Sequence, residues 1–175
     1  SWNQLFDEYI AEPCELEVFT FGNPWEELFY SNFAYTSFDG ATVASLPGQH
    51  NPQVEGGGIT NLYDYAKLLQ VHLNGGYCGE TQVLTEASLA SMRQDRGSLT
   101  FNPTPYGMGW WISSDEPGIY TDGGAFGAVS FLDLNTGIGG FIAIDDYTQR
   151  AAGQGSAILR TALPLIQEAV RARYE

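Results

Sequence analysis

The sequence predicts an α+β protein in which a helical and loop-rich region, residues 1-100, precedes antiparallel strands and a C-terminal helix, residues 101-175. Three observations predict it. Apolar residues fall at helical spacing near the start and again after Gly56-Gly57-Gly58. Beyond residue 105 the pattern changes to short runs bounded by turn residues, as strands require. The last stretch, from about Gln154 to Arg173, puts Ala, Leu and Ile on one helical face.

Ser1 can cap a helix in which Trp2, Leu5, Phe6, Tyr9 and Ile10 form one stripe, expected to be buried and to end at Pro13. Residues 18 to 52 mix Gly, Pro, Asn, Ser and aromatics without periodicity and read as a long loop region with one short helix at Pro24 to Phe29. Asn61 then caps a second amphipathic helix with Asp64 in its first turn. Leu62, Tyr65, Ala66, Leu69 and Leu73 form its inward stripe, and Asn74-Gly75-Gly76 stops it. A shorter helix is expected from Thr85 to Met92. Tyr106 to Ser113, Phe126 to Leu132 and Gly139 to Ile144 read as a three-stranded meander, with turns at Asp115 to Gly118 and Leu134 to Gly137. Its first strand would present an open edge unless another segment pairs with it. Pro164 is expected to kink the closing helix. The aromatics around the meander, Tyr106, Trp110, Trp111, Tyr120 and Phe126, read mainly as filling between sheet and helix.

The chain has 175 residues, 43% of them apolar, enough for one packed unit. Seven basic against 21 acidic residues give a formal charge of −14, which repels nucleic-acid phosphates and anionic lipid and so disfavours those partners. No window approaches the roughly 18 apolar residues of a membrane span. The first residues carry no signal-peptide pattern and no initiator Met, as expected of a mature, processed or truncated product. Such acidity fits a secreted or a salt-adapted protein equally. Cys14 and Cys78 are the only cysteines, so at most one internal disulfide exists.

Several segments taken together carry a family resemblance. They are the opening helix with its Ile10-Ala11-Glu12-Pro13 turn; Gly57-Gly58-Ile59-Thr60-Asn61-Leu62-Tyr63-Asp64; Asn74-Gly75-Gly76; Tyr106-Gly107-Met108-Gly109-Trp110; and Asp122-Gly123-Gly124-Ala125-Phe126-Gly127. In this order the chain resembles the C-terminal portion of the serine beta-lactamase and penicillin-binding-protein-like hydrolases, a group that includes esterases. The resemblance implies a beta-lactamase-like fold completed by an N-terminal portion missing here, and acyl transfer through an acyl-enzyme. It also implies that the Ser-x-x-Lys nucleophile and the catalytic Tyr-x-Asn lie upstream. The only lysine, Lys67, has Asp64 three residues before it, so the chain holds no Ser-x-x-Lys.

By the same resemblance, residues 122 to 127 form the strand of the third active-site motif. Ala125 is then the backbone oxyanion donor, while Asp122, Gly123, Gly124 and Phe126 face substrate. A tight strand entry with no such role is the competing reading of Gly123-Gly124. Asp122 stands where relatives commonly carry Lys or His; a carboxylate there disfavours penicillin-like anions and leaves a neutral or cationic ester or amide as the substrate class. The implied partners are an N-terminal chain or fragment of the same precursor and that small substrate, with no cofactor, in a secreted or extracytoplasmic setting. The resemblance also places Cys14 and Cys78 in one helical layer, leaving bridged and free thiols both open.

Other features are set aside. Tyr30-Ser31-Asn32 has the letters of the second motif but follows the opening helix instead of preceding it, and reads as a loop anchor. His50 and His72 lack partners at metal-ligand spacing, and Asp145-Asp146 reads as an acidic strand exit, so no metal is expected. Gly56-Gly57-Gly58 reads equally as a ligand approach or a turn. A non-catalytic scaffold on the same fold is the main alternative, and a self-contained binding domain a third.

Overall fold

The computed structural model describes residues 2-21, 58-97, 104-124, 127-144 and 153-174. The loop helix expected at Pro24 to Phe29, together with Tyr30-Ser31-Asn32, His50, Ala125, Phe126 and Asp145-Asp146, lies outside them.

Helix α1 (Trp2–Phe6) widens into a π-helical turn over Asp7–Ala11 and ends in the turn that contains Pro13. The expected stripe is not buried as a unit: Trp2, Leu5 and Tyr9 are exposed and Ala11 is buried. The i→i+5 widening, with Glu12 N–H donating to Asp7 O, takes the later residues out of the 3.6-residue register that defined the stripe. Phe6 instead packs on Phe19 and Phe21 at ring separations of 5.0 and 4.9 Å. Those two rings belong to β1 (Phe19–Phe21), which pairs antiparallel with β2 (Gly58–Thr60).

Helix α2 (Leu62–Leu73) forms as its caps dictate. The Asn61 side chain accepts from Asp64 N–H at 2.8 Å, and Gly76 N–H closes on Val71 O at 2.8 Å with Gly75 and Gly76 at positive φ, a Schellman ending. Its inward stripe is narrower than expected. Leu69 is buried, but Leu62 and Ala66 are exposed beside the sheet edge. A small hairpin, β3 (Tyr77–Cys78) with β4 (Thr81–Gln82), leads to α3 (Glu86–Met92), capped by Thr85. Cys14 and Cys78 are bridged, closing a 64-residue separation that the sequence left open.

The sheet has four antiparallel strands where three were expected: β5 (Trp111–Ile112), β6 (Ile119–Gly123), β7 (Val129–Asp133) and β8 (Ile138–Ile142), in that order. The expected run Tyr106 to Ser113 is folded on itself. Gly107 N–H bonds Trp110 O at 2.8 Å across a turn with Gly109 at φ 82°, and Tyr106 bridges Trp111. The chain thus supplies from residues 105 and 106 the partner that the β5 edge was expected to need, where the sequence pointed to a partner outside the chain. The unpaired edge among the described residues is the outer side of β8.

Helix α4 (Gln154–Tyr174) crosses one face of the sheet and continues through Pro164, which stands on its exposed side. Ile119, Val129 and Phe131 pack there against Leu159 and Leu163. The opposite face carries Tyr120, Leu132 and Phe141 against Tyr65, Leu69 and Leu73 of α2, with Trp110. All five residues of β7 are buried because both faces of that strand are covered.

Candidate functional site

Of the residues that the sequence singled out, Asp122 and Gly123 lie on strand β6 and Gly124 follows it. Side chains alternate along it: Ile119 joins the α4 core, Tyr120 the α2 core, and a Cβ on Gly123 would approach Ser156 Oγ of α4 at 3.8 Å. Asp122 therefore projects on the α2 face. Directly across, Ser130 of β7 and then Phe141 of β8 occupy the same row. Ser130 is 1% exposed. Its Oγ meets the Asp122 carbonyl at 3.5 Å and hydrogen-bonds the Tyr65 hydroxyl. The Tyr65 ring lies 4.5 Å from that of Phe141. Tyr106, whose ring is 4.5 Å from Trp111, belongs to the opposite face, because it pairs with Trp111, and Trp111 with Thr121, whose side chain alternates away from Asp122.

Asp122 is half-buried, and burial raises its carboxyl pKa above the usual value. No hydrogen bond or ion pair engages its carboxylate among the described residues. Its charge is felt on both faces of the sheet. Burial first, and then Asp122, raise the Tyr65 hydroxyl, with the Ser130 bond opposing. Burial and Asp122 likewise raise Tyr106, against a hydrogen bond with the Gly109 backbone.

Gly123 and Gly124 are exposed, as a strand end offering its backbone to a ligand requires. Gly124 N–H is taken by Ala128 O at 2.8 Å, and Gly127 N–H closes on Gly124 O at 3.1 Å. The loop so formed sits on the first turn of α4, where a Cβ on Gly155 would lie 2.0 Å from Gly127 O. Glycine at 155 is thus what lets the helix seat against the loop.

Three further polar groups are structural. Asp64, 3% exposed, accepts from the Glu17 and Val18 backbone N–H groups at 2.9 and 2.6 Å. Lys67 lies 3.7 Å from Asp64 and donates to Glu15 O. This polar set pins residues 15 to 18 along α2. His72 is half-buried, with its ring edge-on to Trp110 at 5.2 Å. Burial, helped by Arg93, lowers its pKa to about 4, so it is a neutral packed ring at pH 7. Among the described residues no three His, Cys, Asp or Glu side chains are grouped to hold a metal.

An apolar groove of about 630 Å³ runs between α2 and the unpaired side of β8, lined by Leu62, Ala66, Leu69, Leu73 and Phe141. It contains no acid, base or nucleophile. Sequence reading missed Tyr65 and Ser130 as neighbours of Asp122. A lone serine within Val129-Ser130-Phe131-Leu132 was the available signal, since a polar side chain in an apolar run must find a buried partner.

The order of these elements is matched elsewhere. The chain belongs to the beta-lactamase family, whose model matches residues 1–163. Three solved structures share its fold. One is a protein from Bacteroides dorei DSM 17855 described as a "putative beta-lactamase", with TM-score 0.63 and 21% identity, over 96% of this chain and 52% of that one. Another is a penicillin-binding protein homolog from Caulobacter crescentus, with TM-score 0.55 and 17% identity, over 83% and 47% of the two chains. The third is EstCE1, described as a hydrolase with promiscuous acyltransferase activity, with TM-score 0.55 and 19% identity, over 78% and 44%. The chain spans about half the length of each of these proteins. Comparison with curated protein sequences gave no match.

Proposed function

We propose that this chain is the C-terminal part of a serine hydrolase of the esterase, peptidase or amidase type, supplying the third-motif strand and one wall of the oxyanion hole. The nucleophile belongs to an N-terminal part bearing Ser-x-x-Lys. The observation that carries this reading is β6 itself: a strand ending in exposed Gly123 and Gly124 at the lip of the sheet, with a carboxylate beside them.

In the proposed reaction the serine attacks the carbonyl of an ester or amide, and negative charge develops on the carbonyl oxygen. Backbone N–H groups stabilise that charge best when no other acceptor holds them. By its position in the family resemblance Ala125 is the residue assigned as donor; Gly124 N–H is bonded to Ala128 O. Gly123 and Gly124 let substrate approach the strand without meeting a Cβ. The same resemblance assigns Phe126 to substrate binding. The acyl-enzyme is then hydrolysed by water.

Coverage of about half of each similar structure supports an N-terminal complement. So do the unpaired side of β8 and the apolar groove beside it, which suit an added strand and its side chains. The Cys14–Cys78 bridge and the acidic charge support an extracytoplasmic, oxidising compartment.

A fluorophosphonate probe tests the reading. In the full-length protein one serine outside these 175 residues should be labelled stoichiometrically, and this chain alone should stay unlabelled. Labelling within this chain would overturn the assignment, and a full-length protein that neither reacts nor contains Ser-x-x-Lys would favour a scaffold on the same fold.

A further inference from the structure

The first turn of α4 lies beneath the end of the β6–β7 hairpin, and the residue in closest contact there has no side chain. We infer that Gly155 is a positioning residue for the oxyanion wall: its bare Cα sets how closely the turn between Gly124 and Gly127 approaches the helix, and so where the donor assigned to that turn points. The inference rests on the hydrolase reading above and adds to its site a residue from outside the third motif.

The fit at Gly155 admits nothing larger than hydrogen. A Cβ built there would lie 2.0 Å from Gly127 O and 3.2 Å from Gly127 C, backbone atoms that no rotamer change can move aside, and 3.1 Å from Val129 Cγ1. The next residue, Ser156, lies under the other strand, its Oγ 3.8 Å from a Cβ on Gly123. Conformation does not explain the glycine. Gly155 sits in helical backbone, where any residue is at ease and glycine weakens the helix. Contact with Gly127 does explain it.

Under strain the turn yields before the helix does. Leu159 and Leu163 are buried against Ile119, Val129 and Phe131, so α4 cannot slide without emptying that core. The turn is held by two backbone hydrogen bonds, Gly124 N–H to Ala128 O and Gly127 N–H to Gly124 O, and Gly124 is exposed. A methyl at position 155 should therefore lift Gly127 by about 1 Å, a misplacement that is enough to cost roughly a hundredfold in rate.

The test compares Gly155→Ala with Ala157→Gly in the full-length protein. Ala157 is exposed on the same first turn, and its change to glycine loosens the helix start without placing an atom against Gly127. With p-nitrophenyl acetate as substrate, Gly155→Ala should lower kcat and kcat/KM together by roughly a hundredfold, the pattern of an interaction made only in the transition state. Ala157→Gly should change neither by more than about threefold. An effect confined to KM, or equal losses in the two variants, overturns the inference.

Backbone amide chemical shifts separate this from the hydrolase reading. If the wild type does not hydrolyse the ester, the hydrolase reading falls and the spectra still decide. In Gly155→Ala the Gly124 and Gly127 amides should move while those of Leu159 and Leu163 stay; shifts limited to residues 153-157 overturn the inference. Should that variant not fold, hydrogen exchange in the wild type decides. Gly127 N–H and Ala157 N–H, bonded to Gly124 O and Gly153 O, should then open with a common free energy. Free exchange at Gly127 beside a protected Ala157 overturns the inference.

Discussion

The two faces of the sheet are built from different chemistry. Against α4 the contacts are almost wholly aliphatic: Ile119, Val129, Leu159 and Leu163, with Phe131 at the centre. On the α2 side the strands present Tyr120, the partly buried Asp122 and the buried Ser130, and the helices bring Tyr65, the neutral His72 and the partly buried Arg93 to the same layer. One face is arranged to be filled, the other to leave groups whose polarity can be used. Stability should therefore depend mostly on the α4 side and the crosslink that holds the α2 layer, and ligand selectivity on the α2 side alone.

The largest expected effect breaks the α2 layer without touching the sheet. Replacing both Cys14 and Cys78 by Ser should lower unfolding free energy by roughly 4 kcal/mol, the value expected for a loop of this size. Hydrogen exchange should show protection lost first around α2 and the β3–β4 hairpin, with α4 and β7 still protected; uniform loss would contradict the division.

Next, Phe131→Ala empties the centre of the α4 face and should cost about 3 kcal/mol in urea denaturation. Asp133→Ala should cost about 2 kcal/mol. This carboxylate is fully buried at the end of β7, where it accepts from Asn135 N–H, Thr136 N–H, Thr136 Oγ1 and Gln167 Nε2. Burial alone would raise its pKa, but the Thr136, Gln167 and backbone hydrogen bonds outweigh it and the pKa is lowered. Its contribution is thus complete above the ordinary aspartate range and is lost as pH falls through the depressed folded value. Asp133→Asn should flatten that acid limb of the stability curve.

The smallest effect has the opposite sign. Asp122 has a raised pKa, so at neutral pH its ionised form opposes folding, and the opposition fades as pH falls toward the ordinary aspartate value. Asp122→Asn should leave stability equal or higher at pH 7, by less than about 1 kcal/mol after allowance for solvent screening, with the difference vanishing below about pH 4. A clear destabilisation at pH 7 would mean that the carboxylate is already paired.

Much of this was legible in the sequence where local chemistry decides. The Asn61 cap, the Asn74-Gly75-Gly76 stop, the Thr85 cap and the extent of α4 follow from side chains acting on their own backbone. Strand β6 was harder to read by periodicity. Ile119-Tyr120-Thr121-Asp122-Gly123 is short, polar at its end and exposed there, and only the family resemblance marked its last residues as a strand. The opening helix shows the opposite limit: spacing reveals an apolar stripe, but neither the π-helical shift nor the exposure of Trp2, Leu5 and Tyr9. Likewise the Cys14–Cys78 pairing depends on how residues 15 to 18 are tied to Asp64 and Lys67, a tertiary fact.

Strand β8 has a practical corollary. Ile138-Gly139-Gly140-Phe141-Ile142 contains no charge and no proline, the two devices that usually stop one sheet from templating another. Produced alone, this polypeptide should self-associate through that bare ribbon in a concentration-dependent way, and a lysine at position 140 would be the wrong cure, because a Cβ there meets the Phe131 ring at 2.3 Å. Charge at Ile138 or Ile142 would cost stability instead, because both side chains pack against the Ile119, Val129 and Phe131 cluster.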